Sequence, residues 1–325
     1  MRIPKQVIVE VSSKCQLRCI GCPVNDAGGK GALMDMDLFK SIIDRINFDT
    51  TVIPWMNGEP LLHPQYAEMV KYITDRGHRC YITTNGMIWN DELFNHITNN
   101  TSCYQIIFSI NGLPWTESAE LAQPGIDTEK VYEHIQRFGR LKESKHSKID
   151  MAVKICQRGQ DWEEIENYIG YWLNKSFIDY VCYGKMLSGE SKSGQRTASC
   201  QYFDNNFLIL RTDGSSRLCA YNPEIVNGNA NPVGVLKPGE SLLDFYNNAS
   251  FKKYRELQDK GIYSGPCETC GFAYSGMGMS GKIEFRDKYL KSLGPVNFRQ
   301  DYYNQFYSLK DKSKPDSYYA RGVEA

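Results

Sequence analysis

The feature that most constrains the fold is a regular alternation of strand-like and helix-like segments between residues 7 and 183. Six short runs are apolar or β-branched, as in buried strands. Between them, apolar residues recur every three or four positions, as on one face of a helix. The strand-like runs are Val7–Val11, Thr51–Trp55, Arg79–Thr84, Tyr104–Ile110, Ile149–Ile155 and Ile178–Tyr183.

Strands that alternate with helices are joined as parallel βα units by right-handed crossovers, which gives an α/β fold. The first helix is predicted to begin at a cap, Asp35 or Asp37, and the second to end at Gly77. The pattern alone leaves three architectures open: a complete barrel, a partial barrel and a doubly wound sheet.

The charge balance argues against two classes of partner. Lys plus Arg and Asp plus Glu both number 38, so no excess positive charge points to duplex nucleic acid or to a membrane surface. Residues 1–11 hold no long apolar run typical of a secretion signal, and no window resembles a membrane span. We therefore expect a cytoplasmic protein with reduced thiols, in which eleven cysteines need a role other than disulfides.

Three of those cysteines, Cys15, Cys19 and Cys22, lie in the run CQLRCIGCP directly after the first strand. Thiolates are soft ligands that suit iron–sulfur clusters and zinc. Structural zinc usually takes four protein ligands in CxxC pairs, so this spacing is a poor match for zinc. Three ligands would leave one iron of a four-iron cluster open to a chelating molecule.

The same run resembles the CxxxCxxC signature of the radical S-adenosylmethionine (SAM) superfamily. This resemblance implies a partial (β/α)6, TIM-like barrel in which Cys15, Cys19 and Cys22 hold a [4Fe-4S] cluster that binds SAM. Polar residues at the carboxyl ends of the strands agree with where such barrels build active sites. One departure is Gly21, where many members have an aromatic residue.

Further motifs of the family follow in order along the chain. The segment Asn57, Gly58, Glu59 and Pro60 resembles the GGEP motif that lies along the methionine end of SAM, with Asn57 in place of the first glycine. The stretch SING is similar to the SIDG stretch near the ribose. The resemblance therefore implies further SAM-binding residues at Thr84, Ser109, Asn111 and Lys154.

A second set of cysteines lies in the C-terminal part of the chain: Cys200, Cys219, Cys267 and Cys270. By chemistry alone, four thiolates suit zinc and an iron–sulfur cluster about equally. The spacing Gly214-x4-Cys219 and the late CxxC pair resemble a SPASM or twitch domain. Because no cysteine follows Cys270, the resemblance favours the shortened twitch form, a small α+β domain with one auxiliary [4Fe-4S] cluster.

The chain is accordingly divided into a barrel at 1–190, a twitch or SPASM-like domain at 191–285 and a tail at 286–325. For the tail, plain packing is favoured over capping of the barrel or of a dimer partner. A hairpin is predicted at Phe207–Arg211 and Ser216–Ala220, around Asp213-Gly214. In architecture the chain resembles the butirosin aminocyclitol dehydrogenase and the anaerobic sulfatase-maturating enzymes. The other cysteines are predicted to pack in the core: Cys80, Cys103, Cys156 and Cys182.

The resemblance implies a radical enzyme that receives one electron from a flavodoxin or ferredoxin. SAM would be cleaved to methionine and a 5′-deoxyadenosyl radical, which abstracts a hydrogen atom from the substrate. An auxiliary cluster with four protein ligands has no open iron, which suits it to accept an electron from a substrate radical. We therefore expect a two-electron oxidation or rearrangement of a small metabolite of sugar, cyclitol or nucleoside type. The candidate bases are Tyr183, Lys185 and Glu190.

Two other functions are compatible with part of this pattern. One is modification of a ribosomally made peptide or a protein side chain; because the first strand begins at about Val7, we expect no peptide-recognition domain before it. The other is a non-catalytic metal-binding scaffold, against which the GEP-like motif and the barrel pattern argue.

Overall fold

The strands form one mixed sheet in the computed structural model, which describes residues 1–22, 24, 31–185, 206–219, 232–263 and 265–268. Their order across the sheet is β6-β5-β4-β3-β2-β1-β7-β8-β9. Strands β1 to β7 pair in parallel, and β8 and β9 continue the sheet as antiparallel neighbours. The strands are β1 Gln6–Val9, β2 Thr51–Ile53, β3 Arg79–Thr84, β4 Cys103–Ser109, β5 Asp150–Gln157, β6 Tyr180–Lys185, β7 Phe207–Leu210, β8 Ser215–Arg217 and β9 Pro232–Val235.

The first six helices connect consecutive parallel strands, the last two follow β9, and most of the eight begin at a polar side chain that caps the first turn. The helices are α1 Met36–Ile43, α2 Tyr66–Asp75, α3 Asp91–Asn99, α4 Glu117–Ala122, α5 Thr128–Ser144, α6 Trp162–Leu173, α7 Leu242–Tyr246 and α8 Ala249–Asp259. The Asp35 carboxylate accepts hydrogen bonds from the backbone N–H groups of Asp37 and Leu38, so Asp35 is the cap of α1. Gly77 has a φ of +78° just after α2, as expected for a helix stop. No helix in the described ranges is long and apolar enough to cross a membrane.

One large core fills the space between the sheet and the helices. Phe94 and Phe108 both contact Phe138 of α5, with ring centroids 5.3 and 5.8 Å apart. The opposite face of the sheet, here called the inner face, has a separate small cluster of Ile8, Ile53 and Ile209. Each strand therefore sends alternate side chains to the helices and to the inner face.

The structure confirms the predicted α/β fold of the partial-barrel type. The helices pack in one core against one face, unlike a doubly wound sheet, and within the described residues the sheet stays open between β6 and β9. Strand β3 has the predicted bounds, whereas β5 and β6 continue two residues further, to Gln157 and Lys185. Helix α4 was not predicted, because its six residues are too few for a clear apolar stripe.

The predicted hairpin is present, but its sheet is shared with the barrel. Strands β7 and β8 pair through Leu210 and Ser216, and β7 lies beside β1 with Val7 opposite Leu208. The hairpin therefore extends the parallel sheet from its β1 edge.

Candidate active site

The loop that carries Cys15, Cys19 and Cys22 leaves the carboxyl end of β1. Just after β1, Ser12 bridges to Leu33 in the returning chain. The backbone N–H of Met34 donates to Val11 O at 2.9 Å, and that of Ser13 donates to Ala32 O at 2.9 Å. The two ends of the loop are therefore held side by side at the carboxyl edge of the sheet.

The middle of the loop is anchored to the C-terminal end of α4. The backbone N–H of Arg18 donates to Pro124 O at 3.0 Å, and that of Ile20 donates to Ala122 O at 3.1 Å. Leu17 is buried in the main core. These contacts fix the backbone on both sides of Cys19.

The three thiols are half-buried and close enough to influence one another electrostatically. Burial, together with the charges of Glu59, Cys19 and Cys22, raises the pKa of Cys15 to about 12. Burial also raises the pKa of Cys19, while Arg158 lowers it. The described residues include no preformed cage of three or more ligands. A thiol must lose its proton to bind a metal, so metal binding at these cysteines is coupled to proton release.

The segment of Gly58 and Glu59 packs against the start of this loop. Gly58 has a φ of +84°, and a Cβ there would lie 2.6 Å from Ser12 O and 2.7 Å from Lys14 O. The backbone N–H of Glu59 donates to Lys14 O at 2.7 Å. Only glycine allows the two backbones to approach this closely.

The Glu59 carboxylate joins the ends of two strands. Its Oε1 accepts from Thr84 Oγ1 at 2.8 Å and from the Leu61 N–H at 3.1 Å. Its Oε2 accepts from the Asn85 N–H at 2.7 Å. Burial raises the pKa of Glu59 to about 7, although these hydrogen bonds lower it. Glu59 and Thr84 were predicted to bind SAM; in the structure their side chains bind each other.

Two polar atoms near this segment are buried and have no hydrogen-bond partner among the described residues. They are Asn57 Nδ2, next to Gly58, and Thr83 Oγ1, near the end of β3. A buried donor and a buried hydroxyl without partners are costly unless a ligand satisfies them.

The predicted residues on β4 and β5 lie at the same edge. Lys154 is half-buried on β5 and pairs in register with Ser109 on β4. The Asn111 side chain is used within the protein, since Asn111 Oδ1 accepts from the Cys156 N–H at 2.8 Å. Pro60 begins a short 3₁₀ helix, Pro60–Leu62, so it shapes the turn after Glu59.

The sequence gives Asn85 only as a residue that ends the third strand, and it does not single out Gln123 or Gln160. Asn85 Nδ2 donates to Cys15 Sγ at 3.9 Å. Gln123 Oε1 accepts from the Asn111 N–H, and Gln160 Nε2 donates to Asn111 O, both at 2.5 Å. Their only sequence signal is a position just after a strand or helix, which is shared by many loop residues.

The second cysteine set is partly described. Cys219 lies two residues after β8, and Cys267 ends a 3₁₀ helix, Gly265–Cys267. Cys267 lies near Tyr254 of α8, because its charge adds to burial in raising the pKa of Tyr254. Cys200, Cys270 and Glu190 lie outside the described residues. The other two candidate bases, Tyr183 and Lys185, belong to β6.

Three of the remaining cysteines are buried, as predicted for core packing. They are Cys80, Cys103 and Cys182. Cys156 is half-buried near the end of β5.

Comparison with known proteins finds a family and several related folds. Residues 9–169, about half of the chain, match the radical SAM superfamily. A 180-residue stretch is 25% identical to the tungsten-containing aldehyde ferredoxin oxidoreductase cofactor-modifying protein of Pyrococcus furiosus. This stretch covers 52% of the chain but only 48% of that relative, so the match spans about half of each protein.

Two solved structures share the fold at low identity. SuiB of Streptococcus suis bound to the precursor peptide SuiA has a TM-score of 0.61 and 11% identity, covering 78% of this chain and 66% of SuiB. Native anSMEcpe with bound SAM has a TM-score of 0.60 and 14% identity, covering 98% of both chains. These likenesses concern the fold alone.

The family match, the partial-barrel fold and the cysteine loop at the carboxyl edge agree with one another. Radical SAM enzymes use a [4Fe-4S] cluster together with SAM. The chain belongs to the radical SAM superfamily.

Proposed function

We propose that this chain uses Cys15, Cys19 and Cys22 to form a 5′-deoxyadenosyl radical that abstracts a hydrogen atom from a small metabolite. The observation that carries the proposal is the anchoring of the three thiols in one loop beside Gly58 and Glu59. The proposed substrates are of sugar, cyclitol or nucleoside type, and the proposed net reaction is a two-electron oxidation or rearrangement.

The residues of the loop fit a four-iron cluster with one open site. The chain offers three half-buried thiols that influence one another electrostatically. Thiolates are the usual ligands of such clusters. When bound, the cluster supplies the electron that cleaves SAM into methionine and the 5′-deoxyadenosyl radical. The reductant that the family requires is proposed to be a flavodoxin or ferredoxin.

The residues beside the loop fit the polar groups of SAM. Asn57 Nδ2 and Thr83 Oγ1 are buried without partners in the described part of the chain, so a ligand with complementary groups would relieve both. Lys154 is half-buried at the same edge and would hold a carboxylate. Glu59, in contrast, would act on SAM indirectly, because Thr84, Leu61 and Asn85 take its oxygens.

The oxidation is proposed to depend on a second cluster at Cys200, Cys219, Cys267 and Cys270. Four thiolates close the coordination of a [4Fe-4S] cluster, which would then supply an acceptor for one electron. Both described members of this set are half-buried, as cluster ligands at a domain surface would be. The proton that leaves the substrate would go to Tyr183, Lys185 or Glu190.

A second candidate is chemistry on a cofactor or its precursor. The printed name of the relative from Pyrococcus furiosus describes a cofactor-modifying protein, and its 25% identity covers half of this chain. Modification of a ribosomally made peptide remains a third prediction, since the likeness to peptide-bound SuiB concerns the fold alone.

Spectroscopy of the reconstituted protein tests the first cluster. We expect the anaerobically reconstituted and dithionite-reduced chain to give an EPR signal that changes when SAM is added. Cys15→Ala should remove this SAM-dependent change. The matched control is Cys80→Ala, which removes a core thiol and should keep the change. A SAM-dependent signal that survives in Cys15→Ala would contradict the assignment.

Iron analysis tests the second cluster. Two four-iron clusters predict about eight irons per chain. Cys219→Ala should lower this content to about four, while Cys103→Ala, a substitution in the core, should leave it unchanged. A wild-type content of about four would remove the auxiliary cluster and the oxidation that depends on it. Incubation with candidate metabolites, cofactor precursors and peptides, followed by mass spectrometry, then separates the substrate classes.

A further inference from the structure

We infer that Asn85 is a positioning residue that donates an N–H···S hydrogen bond to Cys15 and raises the reduction potential of the SAM-binding cluster. The inference rests on the proposed role of Cys15 as a ligand. Asn85 directly follows β3, and its Nδ2 lies 3.9 Å from Cys15 Sγ. The sequence places Asn85 among the family-like features at the end of the third strand, without a role of its own.

The orientation of the Asn85 side chain is fixed by its other bonds. Asn85 Oδ1 accepts from Gln16 Nε2 at 3.2 Å and from the Met87 N–H at 3.0 Å. Because the amide oxygen serves these two donors, the amide nitrogen faces the sulfur. Asn85 is itself 8% exposed, so the amide is shielded from water.

The backbone of Asn85 is held by the buried Glu59 carboxylate, whose Oε2 accepts from the Asn85 N–H at 2.7 Å. Glu59 in turn binds the cysteine loop through its own N–H, which donates to Lys14 O. Lys14 directly precedes Cys15. Asn85 and Cys15 are therefore attached to the same rigid support, which keeps donor and sulfur at a fixed separation.

Cys15 Sγ receives a second N–H, from the Leu17 backbone at 3.4 Å. Both donors point at a half-buried sulfur, which is partly shielded from water. Hydrogen bonds to ligand sulfurs tune the potential of iron–sulfur clusters. Because reduction adds negative charge, an N–H donor stabilises the reduced state more than the oxidised state.

Asn85→Asp removes the N–H donor and leaves the rest of the side chain almost unchanged. The aspartate keeps an oxygen for Gln16 and Met87 but has no N–H for the sulfur. We expect the equilibrium constant for cluster reduction to fall at least tenfold, which is about 59 mV more negative for one electron. Asn99→Asp places the same charge on the exposed end of α3, where Asn99 contacts only Asn95 O among the residues described, and should leave the potential unchanged.

The measurement is an EPR-monitored redox titration of the reconstituted full-length protein, following the signal that responds to SAM. An uncharged variant, Asn85→Ser, should shift the potential in the same direction, which separates the lost donor from the added charge. Failure of both Asn85 variants to assemble this cluster would overturn the inference, because it would show that Asn85 acts in cluster assembly and not on the potential. If both Asn85 variants have the same reduction potential as Asn99→Asp, the inference is overturned. Absence of any SAM-responsive signal in the wild type instead overturns the proposed function.

Discussion

Arg211 at the end of β7 forms an ion pair with Glu10 at the end of β1, with 3.4 Å between Arg211 Nε and Glu10 Oε2. The side chain of Glu10 is 1% exposed and that of Arg211 is 25% exposed. Burial raises the pKa of Glu10, whereas the charge of Arg211 lowers it. The pair connects the hairpin to the strand that leads into the cysteine loop.

Arg211→Ala is expected to destabilise the protein by about 3 kcal/mol, because it leaves a buried carboxylate without its cation. The estimate lies at the low end of the range for buried pairs, since Arg211 is partly exposed. The double variant Glu10→Leu/Arg211→Leu should be more stable than Arg211→Ala, because it removes both charges. Urea unfolding gives the free energies.

The matched control is Arg2→Ala, which breaks an exposed pair with Asp259 and should cost less than about 1 kcal/mol. Equal losses for Arg211→Ala and Arg2→Ala would show that the buried pair contributes nothing specific.

The buried Glu59 predicts a pH dependence of stability. Burial raises its pKa to about 7 in the folded chain from the ordinary value of 4.5, so between these pH values the folded state holds a proton that the unfolded state releases. The free energy of unfolding should therefore fall as pH rises from about 4.5 to about 7, by roughly 3 kcal/mol, and then level off.

Glu59→Gln removes this titration. The free energy of unfolding of the wild type should therefore fall relative to that of the variant as pH rises, and only inside that window. Urea unfolding of both metal-free proteins between pH 4.5 and 8 measures the difference. Parallel curves for the two proteins would contradict the assignment of a raised pKa to Glu59.

Gly58→Ala is expected to displace the start of the cysteine loop. The new Cβ would meet two backbone oxygens at 2.6 and 2.7 Å, in addition to about 1–3 kcal/mol of strain from the positive φ. We expect a lower melting temperature and loss of iron from the first cluster. The control is Gly77→Ala, which has a similar φ of +78° but open space around the Cβ.

Gly77→Ala should therefore lower the melting temperature slightly and keep its full iron content. If both glycine variants retain iron equally, the close packing of Gly58 on Ser12 and Lys14 is not needed to shape the cluster site.

Local sequence signals were sufficient for most of the barrel. Strand β3 and the Asp35 cap follow from apolar runs and side-chain chemistry within a few residues, and both are confirmed. The pairing of β1 with β7 could not be predicted, because the two strands are about 200 residues apart and no local pattern reports it.

The same distinction holds for the site. The cysteine spacing predicts the three thiols of the site. The hydrogen bond between Glu59 and Asn85 could not be predicted, because it depends on how two loops meet in space. The Glu59 carboxylate is satisfied by Thr84, Leu61 and Asn85, and its predicted role in SAM binding stays a prediction. The roles of the other predicted SAM-binding residues stay predictions.

The central claim, a radical SAM site at Cys15, Cys19 and Cys22, is tested most directly by SAM cleavage. The reconstituted chain should be incubated anaerobically with SAM and dithionite, and 5′-deoxyadenosine should be quantified by chromatography and mass spectrometry. The account predicts 5′-deoxyadenosine from the wild type and from Cys80→Ala, and none from Cys15→Ala. Equal cleavage by Cys15→Ala, or no cleavage by the fully iron-loaded wild type, would contradict it.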